Sequence, residues 1–401
     1  MIVVIGIGAG GWESLGPDER DRVLGAGALF GGRRQLDLVP PVTGQRRVPW
    51  PTDLRGSLPA LLTDHASAAP VVLASGDPLV AGVGTTLVEM FGADAVQIHP
   101  AVSSVALARA RMRWSDETVE VIRVRGDDLD AVRRHLFPGR RLLILSRDAG
   151  TPGSLAGLLR TTGFGPSVLT VLGDLGAPTE SRRVGPATDW TATSPALNVV
   201  CVECRAEEAG WWSLAPGRPD EAFDHDGQLT KREVRAAALA HLLPRPGELL
   251  WDVGAGAGSV AIEWLRAHPT CQAVAVERDH DRAKRIEANA RALGVLSLVV
   301  VHGSAPEALA DLARPDAVFV GGGATLDTLE RSWSALRPGG RLVVHAVTQE
   351  TELIMNGCWR RHGGELTRIS VEHLEPIGRY HGWRPARAVV QWGVSKPMKA
   401  S

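Results

Sequence analysis

The chain has 401 residues, 44% of them hydrophobic and 22% charged, with a formal net charge of −1. That length exceeds one ordinary domain of about 100 to 200 residues and predicts two or three, with the composition of a soluble globular protein. A net charge near zero supplies no general field to recruit nucleic acid or an anionic membrane, so neither is expected as a partner, and an anionic ligand must be met by local cations.

Ile2-Val-Val-Ile-Gly6-Ile-Gly8-Ala-Gly10-Gly11 reads as a buried strand entering a glycine turn. It lacks the basic start and longer apolar region of a signal peptide, and no run in the chain approaches the roughly 18 apolar residues of a membrane span, so a cytoplasmic location is expected. Gly6-x-Gly8-x-x-Gly11 satisfies the dinucleotide pattern, but the acid expected about 20 residues later does not close a clear second strand. Val71-Val-Leu-Ala-Ser75-Gly76-Asp77-Pro78-Leu-Val80 then places a Gly-Asp-Pro turn between a strand and a helix. Val96-Gln-Ile-His99-Pro100-Ala-Val-Ser103-Ser104 repeats the scheme, with two hydroxyls where a helix start leaves N–H groups unpaired. Each segment alone reads equally as a plain turn or a plain cap.

Taken in order, with Ile5-Gly-Ile-Gly8 and Leu145-Ser-Arg-Asp148-Ala-Gly-Thr-Pro152, these segments resemble the tetrapyrrole methylase family over about residues 1 to 205. The likeness is to its branch acting on carbon 5 of a corrin precursor, which carries Ser-Gly-Asp-Pro and Pro-x-x-Ser-Ser together. The resemblance implies an α/β tetrapyrrole methylase fold, the class III fold of S-adenosylmethionine (SAM) methyltransferases. Carried over by position, Gly8, Asp77, Val80, Ser103 and Ser104 would line its SAM pocket. Gly173-Asp174-Leu175-Gly176 stands where that branch usually has Glu-Asn-Leu-Gly, which puts any polar role of the Glu-Asn pair in doubt.

Cys201-Val-Glu-Cys204 closes an apolar run read as a strand, whose alternation sends the two thiols to opposite faces. Zinc would need a second ligand pair, which Cys271 and Cys358 do not supply, so the thiols are read as structural. The polar, proline-marked stretch 206–221 is the expected linker.

Beyond it, Thr230-Lys-Arg-Glu233 is a predicted capping box. Val234, Ala237, Ala238, His241 and Leu242 follow on one helical face, which makes His241 a core-edge residue. Glu248-Leu-Leu-Trp-Asp252-Val-Gly254-Ala-Gly256-Ala-Gly258-Ser259 then reads as strand, tight loop and helix, with glycines that let a ligand reach main-chain N–H groups. Ser259 spoils the strict dinucleotide spacing, and Gly256-x-Gly258-x-x-Ala261 is a looser match. Gln272-Ala-Val-Ala-Val-Glu277 ends a second strand in a carboxylate suited to both ribose hydroxyls, ahead of a helix over 279–293 stopped by Gly294. Strands at 298–302, 316–320 and 341–346 complete a predicted parallel sheet, with Gly254 to Gly258, Glu277 and Ser304-Ala305 at its ligand-binding carboxyl ends.

Asp-x-Gly-x-Gly-x-Gly resembles motif I of the Rossmann-like, class I SAM methyltransferases. Methylases of base amino groups usually carry Asn/Asp-Pro-Pro-Tyr/Phe after the fourth strand, whereas here Val320-Gly321-Gly322-Gly323 leaves room for something broad. Residues 223–346, notably Asp-Gly-Gln-Leu-Thr230-Lys-Arg-Glu-Val, resemble the precorrin methylase and decarboxylase domain that acts on carbon 15. The resemblance implies that Thr230, Gly254, Gly256, Gly258, Glu277 and Ala305 contact SAM; for Thr230 the capping role is equally good.

The order of the two domains, 1–205 and 222–401 about a 206–221 linker, resembles the decarboxylating methylases of cobalamin (vitamin B12) synthesis. That resemblance implies methylation of precorrin-6B at carbons 5 and 15 with loss of carbon dioxide from the carbon 12 acetate arm, giving precorrin-8. Two SAM are consumed per turnover, no metal is required, and a homo-oligomer is expected. The sulfonium is already a good electrophile, so the protein mainly sets an in-line approach of about 3 to 3.5 Å and excludes water. A substrate rimmed with carboxylates needs fixed cations, for which Arg33, Arg34, Arg109, Arg113, Arg182, Arg183, Arg360, Arg361 and Arg379 are candidates. The chain is rich in such groups: its only lysines are Lys231, Lys284, Lys396 and Lys399, although a GC-rich genome explains that bias more simply than function. The rival readings are a methylase of another tetrapyrrole, RNA or protein, a nicotinamide dehydrogenase, and a non-catalytic SAM sensor.

Overall fold

The computed structural model describes residues 1–65, 68–124, 128–208 and 213–398. Residues 209–212 of the expected linker, and Lys399, lie outside the described residues. The chain divides into two compact units, Met1–Leu129 with Leu136–Glu208, and Asp130–His135 with Ala209–Ser401.

The first unit holds two sheets. In one, β1 (Ile2–Ile7), β2 (Ala28–Gly31), β3 (Arg46–Pro49), β4 (Val71–Ser75) and β5 (Val96–His99) run parallel in the order β3-β2-β4-β1-β5. Ile5, Ile7 and Leu73 pack on one face while Val4, Phe30 and Val72 pack on the other. Burial on both faces is why β1, β2 and β4 are continuous apolar runs rather than alternating ones.

The other sheet has the order β6-β7-β10-β8-β9, from β6 (Val119–Arg123), β7 (Arg141–Leu145), β8 (Val168–Gly173), β9 (Ser181–Pro186) and β10 (Asn198–Glu203). Only the β6–β7 pair is parallel. Cys201 lies in β10 and Cys204 just beyond it; both are buried and free, and burial pushes each thiol up to about 12. Neither is a thiolate at neutral pH, which suits packing rather than nucleophilic or metal chemistry.

The second unit is built on a seven-stranded sheet. Five parallel strands, β11 (Leu249–Val253), β12 (Gln272–Glu277), β13 (Val299–His302), β14 (Ala317–Val320) and β15 (Arg341–Ala346), take the order β13-β12-β11-β14-β15. The direction of strand succession reverses between β11 and β14, which opens a crevice at their carboxyl ends. The sheet is not wholly parallel as expected. β16 (Glu365–Ile369) and β19 (Val389–Ser395) extend it antiparallel, and β17 (Glu372–Ile377) with β18 (Tyr380–Pro385) forms a separate exposed hairpin between them.

Two local expectations are corrected. The capping box does not form: Lys231, not Thr230, is the N-cap of the helix Arg232–Leu242, because the Thr230 carbonyl is drawn 2.5 Å from Arg235 Nη1. The buried face of that helix carries Val234, Ala238 and Leu242 together with Arg235 and Leu239, while Ala237 and His241 are half-buried. Arg235 was not among the residues read on that face; it is inside because acceptors wait for it.

Candidate functional site

The carboxyl end of β11 is anchored from below. Leu250 and Trp251 are fully buried, the Trp251 indole donating to Ala313 O at 3.1 Å. Asp252 is 1% exposed, and its Oδ2 accepts the Ala261 N–H at 3.0 Å. Burial, only partly offset by that bond and reinforced by the Glu277 charge, raises its carboxyl to about 7.

The glycine loop that follows is held between two other segments. Gly254 and Gly256 have φ of +67° and +59°, which a side chain disfavours. A Cβ at Gly254 would also lie 2.5 Å from Gly322 O, and one at Gly256 2.6 Å from Gln228 O. The loop 321–323 and the segment 217–230 therefore approach the glycine loop closely from different directions. Glu277, 4% exposed, braces it: Gly256 N–H donates to Glu277 Oε2 at 2.8 Å and Asp279 N–H to Oε1 at 3.1 Å.

Segment 217–230 is itself fixed by buried polar groups. Arg235 is fully buried and donates to Glu263 Oε1 at 2.8 Å, to Thr230 O at 2.5 Å, and to Arg218 O, with the Phe223 ring 4.8 Å from its guanidinium carbon. Glu263 also accepts the N–H groups of Gly217 and Arg218 at 2.7 and 3.0 Å. Asn289 joins the segment to the glycine loop, exchanging two hydrogen bonds with the Asp224 backbone and donating to Ala257 O at 3.0 Å.

These elements enclose a cavity of about 1090 Å³. Thr230, Gly254, Gly256, Glu277 and Ala305 line it together, whereas Gly258 lies outside the lining, where a Cβ would meet Ile286 at 2.7 Å. A glycine cradle that Cβ atoms would fill, closed by a carboxylate at the end of the next strand, fits SAM. From that end the cavity continues past Gly321, Gly322 and Gly323 to His345, Val347, Ile369, His373, Arg387 and Val389. The sequence anticipated the room beside Gly321 to Gly323 but not the residues beyond them. His345 has a signal in retrospect, as the last polar residue of an apolar strand, but His373 within β17 and Arg387 just after β18 belong to a hairpin region with no distinctive pattern.

In the first unit a cavity of about 540 Å³ is lined from both sheets and includes Gly8, Val80 and Ser104. Asp77 and Ser103 are not among its lining residues. Asp77 Oδ1 accepts the Leu79 N–H at 2.8 Å within the turn, and Ser103 Oγ caps the helix Ser104–Met112 by accepting the Ala106 N–H at 3.1 Å. Of the nominated arginines Arg34 lines this cavity, with Nη2 3.0 Å from Ser75 Oγ. Arg109 and Arg361 pair with Asp116 and Glu330 at 2.7 and 2.8 Å, and Arg379 lies over the Tyr380 ring. Arg123 and Arg147, which were not nominated, line the cavity as well.

Residues 1–189 match the family described as tetrapyrrole (corrin/porphyrin) methylases, and residues 221–396 match the precorrin methyltransferase domain. The chain is a SAM-dependent methyltransferase assembled from two unrelated methylase folds. It is 44% identical to a precorrin-6Y C(5,15)-methyltransferase (decarboxylating) of Mycobacterium tuberculosis, over 99% of this chain and 100% of that protein. A Sinorhizobium protein of the same name is 43% identical over 98% and 96%. The chain belongs to the precorrin-6Y C(5,15)-methyltransferase (decarboxylating) family. A probable cobalt-precorrin-6B C(15)-methyltransferase (decarboxylating) of Pyrobaculum calidifontis is 39% identical, over 42% of this chain and 91% of that protein.

Proposed function

We propose that this chain methylates a corrin precursor, precorrin-6B, at carbons 5 and 15 and removes carbon dioxide from its carbon 12 acetate arm, consuming two SAM per turnover. The observation that carries the reading is the cavity of about 1090 Å³ in the second unit, which joins a cofactor cradle to a broad glycine-walled end. It exceeds the roughly 300–1,000 Å³ of an ordinary small-molecule pocket, as a macrocycle beside a nucleoside requires.

Carbon 15 methylation and decarboxylation are assigned to residues 222–401 and carbon 5 methylation to residues 1–205. The Pyrobaculum relative supports this division: a protein matched by only 42% of this chain bears the name of a decarboxylating C(15)-methyltransferase. Thr230, Gly254, Gly256, Gly258, Glu277 and Ala305 would serve SAM in one unit and Gly8, Asp77, Val80, Ser103 and Ser104 in the other. Gly258, Asp77 and Ser103 would act by shaping the loops, since their side chains or positions are already committed to packing, turn and cap. Bound there, SAM supplies an electrophilic methyl group. The protein's part is to bind the macrocycle with that methyl in line and to exclude water, for which no metal is needed. Arg387, at the broad end, and Arg34, Arg123 and Arg147, which line the cavity of the first unit, are cations placed to meet substrate carboxylates.

The reading extends to a cytoplasmic homo-oligomer. Among the described residues no helix is long and apolar enough to cross a membrane. The β17–β18 hairpin holds Leu374, Ile377, Tyr380 and Trp383 more than half exposed, apolar surface of the kind that subunits bury. The deciding experiment is mass spectrometry of purified precorrin-6B incubated with the chain and SAM. The expected product gains two methyl groups and loses one carbon dioxide; an unchanged substrate removes the reading.

A further inference from the structure

Methylation of a ring methine exchanges its hydrogen for a methyl group, so the C–H electron pair stays with the ring and one proton leaves. Decarboxylation of an acetate arm breaks the bond to the carboxylate carbon, leaves that electron pair on the methylene carbon and takes up one proton to give a methyl group. The two steps together neither consume nor release a proton. A site performing both is served by a group that is built to accept a proton from the first carbon and return it to the second.

His345 is. It lies at the carboxyl end of β15, and the register β11–β14–β15 places it two strand spacings, about 10 Å, from the glycine loop on the side of the sheet edge away from Glu277. That is the direction in which a substrate carbon must approach a cofactor seated on β11 and β12. The side chain is 7% exposed and lines the cavity. Two contacts fix the ring: Phe319 packs edge-on at 4.9 Å, and Nε2 lies 2.9 Å from Oε1 of Gln391, which is itself 1% exposed. An amide oxygen accepts, so Nε2 carries the hydrogen and Nδ1 keeps its lone pair.

Resting on the proposed reaction of this unit, we infer that His345 is a catalytic residue, its Nδ1 taking the proton displaced from carbon 15 and delivering it to the methylene carbon left by decarboxylation, with Gln391 as the positioning residue that sets the tautomer. Burial, with His241 of the helix Arg232–Leu242 adding its charge, lowers the imidazole to about 4 against the opposing pull of Gln391. The ring therefore rests neutral, and once protonated it is a stronger acid than an ordinary imidazolium and gives the proton up more readily.

The test is a single turnover of the full-length protein with precorrin-6B and SAM, with methyl transfer and carbon dioxide release followed separately. In His345→Asn, carbon dioxide release should fall about 100-fold or more, the usual range for losing a general acid–base group. SAM affinity by calorimetry should not change, and imidazole added to His345→Ala should restore part of the rate. Nitrogen NMR of the unsubstituted protein at pH 7 should show a neutral ring protonated at Nε2, and Gln391→Leu should lose that preference and slow decarboxylation. The inference is overturned if His345→Asn releases carbon dioxide at the wild-type rate, if its rate and SAM affinity fall in proportion, or if the wild-type ring is charged or protonated at Nδ1. A wild-type protein that neither methylates nor decarboxylates precorrin-6B sinks the functional reading itself, an outcome distinct from these.

Discussion

Gly256 and Glu277 are joined by a hydrogen bond of 2.8 Å, from the glycine N–H to the carboxylate Oε2. The residue proposed to receive the ribose thus also holds the loop proposed to seat the cofactor. Glu277→Ala should weaken SAM binding in the second unit by about 10- to 150-fold, since a hydrogen bond to a charged group is worth about 1.5–3 kcal/mol. Glu277→Gln, which keeps an oxygen for Gly256, should lose less. Calorimetric affinities that do not change would remove Glu277 from the ribose site.

The Arg235–Glu263 pair should matter more for stability than for binding alone. Arg235→Ala removes the guanidinium that pairs with buried Glu263 and frees segment 217–230. Breaking such a pair costs about 3–5 kcal/mol. Denaturant unfolding followed through Trp251 and Trp264, both fully buried in this unit, reads that loss directly. An unshifted midpoint would mean the segment is held by Asn289 and its neighbours without Arg235.

Asp252 predicts a pH dependence of the opposite sign to an ordinary ion-paired acid. Its carboxyl is held at about 7 when folded, against an ordinary value of 3.8. Folding therefore favours the protonated form: the group's contribution is fully present below about pH 4 and is lost as pH rises toward 7. Asp252→Asn mimics that neutral form, so the variant should gain stability at pH 8 by about 1–4 kcal/mol and gain little at pH 4, from 1.36 kcal/mol per pKa unit. Thermal melts of both proteins across this range decide it; a pH-independent difference would mean the acid is not strained.

Much of this site was legible because glycine and a strand-ending acid announce themselves. Gly254, Gly256 and Glu277 combine residue types with few other uses at those spacings, and they line one cavity. The strands β11, β14 and β15 read clearly because burial on both faces gives uninterrupted apolar runs, whereas the edge strand β13 reads from its valines although it is partly exposed. By contrast β16 to β18 carry largely exposed, mixed residues, so the place of β16 beside β19, and of β17 beside β18 in the separate hairpin, depends on pairing rather than pattern. His345 and Gln391 are 46 residues apart and meet only because β15 and β19 are antiparallel neighbours. Arg235 was hidden for a related reason: its partners come from the segment 217–230, through Arg218 and Thr230, and from the helix Ser259–Ala267, through Glu263, and a lone arginine on an apolar helix face reads as a misplaced charge.

The division of labour between the units can be tested at Gly8, which lines the cavity of about 540 Å³ in the first unit. A Cβ there would meet nothing nearer than Gly10 N at 4.0 Å, so a larger side chain occupies the cavity without displacing the backbone. Gly8→Leu should therefore fold normally and exclude SAM from that cavity alone. With isotope-labelled methyl donor, NMR of the product should show the label at carbon 15 and not at carbon 5, with carbon dioxide still released. Asp77→Ala should act more weakly at carbon 5, because Asp77 serves the turn through one hydrogen bond to Leu79 N–H, worth about 1 kcal/mol net, rather than a ligand-facing contact. Equal loss of label at both carbons in Gly8→Leu would mean that the two methylations are coupled through the first unit. Undiminished label at carbon 5 would mean that this cavity does not hold the cofactor for that step.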